Sequence, residues 1–131
     1  LDGDGFADLI FSSEGRYEAY VFLGSGQGLS EEVDLVVGGV WTTGSAGDLD
    51  GDGAAELLCS ASFNGSGVTH LWRGPFEGTL DAEDMPAQIP AFELWHPADV
   101  DGDGLSDLVV GNGFDDSAGD SAGVIAVLFG P

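Results

Sequence analysis

The tetrapeptide Asp-Gly-Asp-Gly begins at Asp2, Asp50 and Asp101, each time inside a longer segment that aligns without gaps. Leu1–Ile10 (LDGDGFADLI), Leu49–Leu58 (LDGDGAAELL) and Val100–Val109 (VDGDGLSDLV) are spaced 48 and then 51 residues apart. A fixed period decides architecture before local propensity does, because repeating units bury their apolar faces against one another. Two further registers keep the same phase. Tyr17–Gly24 (YEAYVFLG), Gly67–Gly74 (GVTHLWRG) and Gly123–Gly130 (GVIAVLFG) each run apolar into a closing glycine, and Trp41 and Phe92 stand seven residues before Asp48 and Asp99. Repeat therefore accounts for the whole 131-residue chain, and no separate domain remains.

Within each repeat the pattern reads as strand. Phe6–Ser12, Ala55–Ala61 and Ser106–Asn112 are too short for helices and are bounded by Gly and Asp. Asn64-Gly65 suits a two-residue hairpin turn, since both residues tolerate positive φ. Leu29–Val37 alternates, with Val33, Leu35 and Val37 on one face and Glu32 and Asp34 on the other, as an outer strand does. Pro86, Pro90 and Pro97 exclude a long helix from the corresponding stretch of the second repeat. A unit of about fifty residues holding four short strands has the size of one propeller blade. The prediction is an all-β fold, a β-propeller segment of about three four-stranded blades: about 1–37, 38–92 and 93–131, the first and last incomplete. Because the sequence opens inside a repeat, it is expected to come from a longer protein. Neighbouring blades of that longer chain, or other copies, are then expected to close the ring.

The charge balance is extreme. Asp and Glu number 24 against two basic residues, Arg16 and Arg73, for a net charge of −22. Such a chain repels nucleic acid and anionic lipid, which excludes nucleic-acid binding. No apolar run approaches the roughly 20 residues of a membrane helix, so membrane insertion is not expected. Cys59 is the single cysteine, so neither an intrachain disulfide nor a cysteine-built zinc site can form. Carboxylates this dense destabilise a small fold unless cations neutralise some of them, which directs attention to the aspartate loops.

The two complete loops are Asp48–Glu56 and Asp99–Asp107, with carboxylates at positions 1, 3, 5 and 9: Asp48, Asp50, Asp52, Glu56, then Asp99, Asp101, Asp103, Asp107. Ca²⁺ takes six to eight hard oxygen donors, and alternate placement aims several side chains of one tight loop inward. Glycine at position 6 (Gly53, Gly104) permits a sharp turn with φ > 0, and the backbone carbonyl at position 7 (Ala54, Leu105) offers one more oxygen. Mg²⁺ fits less well, since it dehydrates reluctantly and demands octahedral geometry. An EF-hand shares the first six positions but needs a bidentate Glu at position 12, where this chain has Cys59 and Val110, and its flanks are helices. Turn formation alone accounts for Asp and Gly in a single turn. It does not account for four carboxylates within nine residues in repeated copies.

The pattern F-x(6)-D-x-D-x-D-G-x-x-[DE]-L resembles the FG-GAP/VCBS repeat, known from the calcium-binding propeller of integrin α subunits and from secreted bacterial proteins. The resemblance covers nearly all of the chain. It implies that each loop joins a blade's innermost strand to the next and that the metal is structural. It also implies the ligand set above, with Asp2, Asp4, Asp8 and the Phe6 carbonyl remaining in the first copy, whose position 1 would precede Leu1. Thr42 and Glu93 depart from the glycine usual after the aromatic, and Ser60-Ala61-Ser62 and Gly111-Asn112-Gly113 from the usual Gly-Ala-Pro. These departures touch packing rather than ligands.

Other candidates have plainer explanations. His70 and His96 are isolated and read as structural, with no Gly-x-Ser-x-Gly elbow beside them. Trp41, Trp72 and Trp95 are expected to fill gaps between blades rather than to form a sugar-stacking platform. Asn64-Gly65-Ser66 matches a glycosylation sequon, but the hairpin turn explains it. Asp115, Asp116 and Asp120 are read as a solvated acidic loop. The expected function is a calcium-stabilised, non-catalytic binding or adhesion scaffold, extracellular or at the cell surface, with a protein or glycan ligand. The alternative is the propeller of a secreted calcium-dependent polysaccharide lyase. That reading requires a basic cluster on the face, and a chain with no lysine, two Arg and two His supplies poor material for one.

Overall fold

The run Leu57-Leu58-Cys59 has apolar side chains on both faces, as a strand buried between two layers requires. A computed structural model, describing residues 1–63, 66–76, 78–81, 87–90, 94–113 and 115–130, places it at the centre of three sheets. In chain order the described strands are β1 Leu9–Ser13, β2 Glu18–Phe22, β3 Leu35–Gly38, β4 Thr42–Gly47, β5 Glu56–Phe63, β6 Ser66–Trp72, β7 Gly78–Asp81, β8 Ala87–Pro90, β9 Leu94–Ala98, β10 Asp107–Asn112 and β11 Val124–Leu128. The sheet orders are β1-β2-β3-β7, β4-β5-β6-β8 and β9-β10-β11. Among the described residues there is no helix, and hence none long and apolar enough to cross a membrane. The fold is all-β and built of propeller blades.

The second sheet is a complete four-stranded antiparallel blade, and its partners show how blades pack. Leu57, Cys59, Ala61 and Trp72 join Ala19, Val21, Leu35 and Val37 of the first sheet in one buried cluster. Leu58 and Ala46 face the other way, onto Leu108 and Val110 of the third. Each fully buried side chain of Leu or Val size contributes ~1.5–3 kcal/mol. Near the innermost strand, the Thr43 amide donates to Ser12 Oγ at 3.1 Å, tying β4 to β1 across the blade boundary.

The expected runs all form strands, with three departures. Only the end of Leu29–Val37 is a strand. Leu35 and Val37 are buried in β3, while Val33 lies before it and is exposed, because Asp34 turns its carboxylate back to accept the Leu23 amide at 2.8 Å. Trp72 fills the space between blades as expected, but Trp41 is 42% exposed just ahead of β4; the Trp95 side chain lies outside the described set, as do Asn64-Gly65, Phe92 and Glu93. The third departure is β7. Residues 78–81, in the connection between β6 and β8, add to the first sheet as a parallel partner of β3, with Leu35 opposite Gly78 and Gly38 opposite Asp81.

Candidate metal centre

The three loops share one hydrogen-bond scheme. The position-3 carboxylate accepts the position-5 amide: Asp4 N to Asp2 at 3.1 Å, Asp52 N to Asp50 at 3.2 Å, Asp103 N to Asp101 at 3.1 Å. The position-5 carboxylate accepts the position-7 amide: Phe6 N to Asp4 at 2.9 Å, and Ala54 N to Asp52 and Leu105 N to Asp103 both at 2.8 Å. In the complete loops position 1 accepts two amides: Gly51 and Gly53 on Asp48, Gly102 and Gly104 on Asp99. The side chains thus replace the backbone partners that a tight loop cannot supply. Gly53 and Gly104 both have φ +94°, as their place in the loop demands. The glycine at position 4 also has positive φ (Gly3 +78°, Gly51 +79°, Gly102 +85°), a requirement the sequence reading did not identify.

Neighbouring loops stack. The Ala55 amide donates to the Leu1 carbonyl at 3.1 Å, and the Ser106 amide to the Asp48 carbonyl at 2.9 Å. A Cβ on Gly3 would collide with the Gly53 carbonyl, and one on Gly51 would come within 3.1 Å of Leu105 Cδ2. Gly3 and Gly51 are therefore glycine for a second reason, the approach of the next blade's loop.

Asp48, Asp50 and Glu56 bring one oxygen each to within 4.8 Å of one another, and so do Asp99, Asp101 and Asp107. Oxygens on a Ca²⁺ lie at about 2.3–2.6 Å from the ion, so two ligand oxygens can be up to about 5 Å apart. Both triads are within that limit. Asp52 and Asp103, expected as ligands, are turned to their position-7 amides and lie outside the triads, and Asp2, Asp4 and Asp8 do not assemble in this way among the described residues. Asp115, Asp116 and Asp120 form no such group either; Asp115 and Asp116 accept amides of Ser117 and Ser121 within their own loop.

Position 9 separates the loops. Asp107 Oδ2 accepts the Val100 amide at 2.7 Å and Oδ1 the Gly130 amide at 2.9 Å. Those bonds, Gly130 first, hold its carboxyl below the usual carboxylate range. Asp8 has the same arrangement, with the Gly24 amide at 2.8 Å and the Leu1 nitrogen. Glu56 keeps only the Leu49 amide on Oε2, at 2.7 Å. Its Oε1 is buried without a hydrogen-bond partner among the described residues. Burial pushes Glu56 up, and Asp50, Asp52 and Asp48 add to the effect through their charge. A fully buried carboxylate oxygen without a donor is costly unless a proton or a cation satisfies it, so the second loop's donor set fits a metal. Arg73 Nη1 lies 3.2 Å from Asp50 Oδ2 at the rim of the same loop.

Comparison with known proteins agrees with these loops. A family model described as FG-GAP-like repeat matches residues 1–59, and one described as FG-GAP repeat matches residues 96–128. Integrin alpha-4 of Xenopus laevis is 26% identical over 90% of the chain, and integrin alpha-PS3 and alpha-PS5 of Drosophila melanogaster are 27% and 30% identical over 85%. The chain spans only 14%, 12% and 14% of those proteins. No solved structure matches significantly. With the nine-residue loop repeated in phase and family models matching at both ends, the chain belongs to the FG-GAP repeat family.

Proposed function

We propose that the chain is a Ca²⁺-stabilised part of an extracellular adhesion or ligand-binding propeller. Asp48, Asp50 and Glu56 hold one ion, and Asp99, Asp101 and Asp107 another. Asp52 and Asp103 complete the ligand sets after small rotations, with the Ala54 and Leu105 carbonyls. Asp2, Asp4, Asp8 and the Phe6 carbonyl form the weakest site. The observation that carries this reading is the partnerless, buried Glu56 Oε1 inside a carboxylate triad. The blades divide near 1–37, 38–92 and 93–131, with β7 crossing that division. The integrin α subunits among its relatives support an adhesive, non-catalytic role and a protein or glycan ligand. The internal position of His70 and the pairing of Arg73 with Asp50 support it further, leaving His96 and Arg16 as the basic side chains on the surface. Val124, Ile125, Val127 and Leu128 of β11 are exposed, which fits a strand that packs against another blade.

Thermal unfolding in excess EGTA and in millimolar CaCl₂ tests the proposal. Ca²⁺ raises the midpoint, because each ion bound only by the folded form adds RT ln(1 + [L]/Kd). Equal midpoints overturn a structural role for the metal.

A further inference from the structure

The second loop differs from the others at two places, each of which lies beside Asp50. Position 9 is Glu56 rather than Asp, and the residue before the closing glycine is Arg73, where the other repeats have Leu23 and Phe129. Arg73 reaches Asp50, a member of the carboxylate triad, at 3.2 Å. The triad also contains the buried Glu56 Oε1 that no donor satisfies. No ion pair to a basic side chain is present at Asp99, Asp101 or Asp107 among the described residues.

We infer that Arg73 is a tethered counter-ion for the second loop, offsetting part of its negative charge at Asp50 when no metal is bound and weakening its affinity for divalent cations relative to the third loop. The inference rests on the cation reading proposed above. A guanidinium cannot enter the loop as a spherical ion does, since its planar fork meets carboxylates from outside. It can only offset charge at the rim, so a bound cation competes with it for Asp50 and is repelled by it. The Arg73 side chain is largely exposed, which keeps the pair modest and screened by salt. Releasing it tightens the loop by about three- to tenfold at low ionic strength, the range set by exposed ion pairs and by charge repulsion at several ångströms in water.

Two backbone amides report the loops separately, because Gly53 N binds Asp48 and Gly104 N binds Asp99. Ca²⁺ titration of the chain, followed through these amides by ¹⁵N–¹H NMR, is compared for the native sequence, Arg73→Gln and Arg73→Lys. The expected result is that Arg73→Gln moves the Gly53 transition to about three- to tenfold lower Ca²⁺, leaves Gly104 in place, and lowers the melting temperature in EGTA. Arg73→Lys stays near the native value. An unchanged or weakened Gly53 transition in Arg73→Gln overturns the inference alone. If Gly53 and Gly104 in the native chain do not respond to Ca²⁺, the cation reading beneath it is overturned instead.

Discussion

The Asp107 carboxylate accepts the backbone amide of Gly130, 23 residues further along the chain, at 2.9 Å. One side chain thereby joins the end of an aspartate loop to the exit of the third strand of the same blade, and Asp8 does the same with Gly24. At this position the first and third repeats use the carboxylate as a clamp. The second, with Glu56, leaves an oxygen free for a cation. Asp107→Asn should therefore lower the melting temperature by several degrees even in EGTA, because an amide cannot accept both backbone donors. Glu56→Gln should leave the EGTA midpoint level or raised while weakening Ca²⁺ at the second loop more than tenfold. If both variants lose stability equally without metal, the two roles are not distinct.

Loop stacking makes position 4 sensitive in a graded way. Gly3→Ala combines a strained φ with collision against the Gly53 carbonyl and should cost at least about 2 kcal/mol. Gly102→Ala carries the same kind of strain but meets open space, and should cost about 1 kcal/mol. Urea denaturation in CaCl₂ measures the difference, and equal losses would show that the loops do not press on one another.

Gly104→Val isolates the backbone requirement at position 6, since nothing lies within 4 Å of its Cβ. The expected loss is at least about 1 kcal/mol, because a β-branched residue is strained at φ +94°. The substitution also disturbs the Gly104 amide that Asp99 accepts, so Ca²⁺ uptake at the third loop should fall with stability. Calorimetric titration checks this, and full retention of that site would contradict the loop geometry.

Cys59 is buried at the centre of β5, and burial pushes its thiol up to about 12 from an ordinary value of 9.0, with Thr43 Oγ1 at 3.6 Å from its sulfur opposing the shift. At pH 8 iodoacetamide should label it only after unfolding. The raised value favours the neutral thiol in the folded form, so its contribution is complete below pH 9.0 and is lost as the pH climbs towards 12. Cys59→Ala removes that part of the alkaline loss in urea melts. Rapid labelling of the folded chain would show that β5 is not enclosed.

Much of this molecule was legible because its repeats carry their own alignment. The strand positions, the three blades and the positive φ of Gly53 and Gly104 follow from period, alternation and turn chemistry. The sequence did not show which carboxylates converge. Asp52 and Asp50 look equivalent on paper, and each accepts the amide two residues on, yet only Asp50 brings an oxygen to Asp48 and Glu56. The difference between Asp107 and Glu56 was likewise hidden, since it depends on a glycine amide brought close only by the completed blade. Position 4 had a signal in the repeated placement of Gly3, Gly51 and Gly102, but one of its two causes, the neighbouring loop that Gly3 and Gly51 meet, is not local to the turn.

The parallel pairing of β7 with β3 means that the sequence repeat and the cooperative unit are out of step. A cut between the second and third repeats keeps residues 78–81 with the strand they cover, whereas a cut between the first and second strips β3 of its outer partner and bares its backbone edge. Excising or shuffling single repeats would thus carry a strand away from the sheet that uses it. The smallest portable piece of this array is a pair of blades.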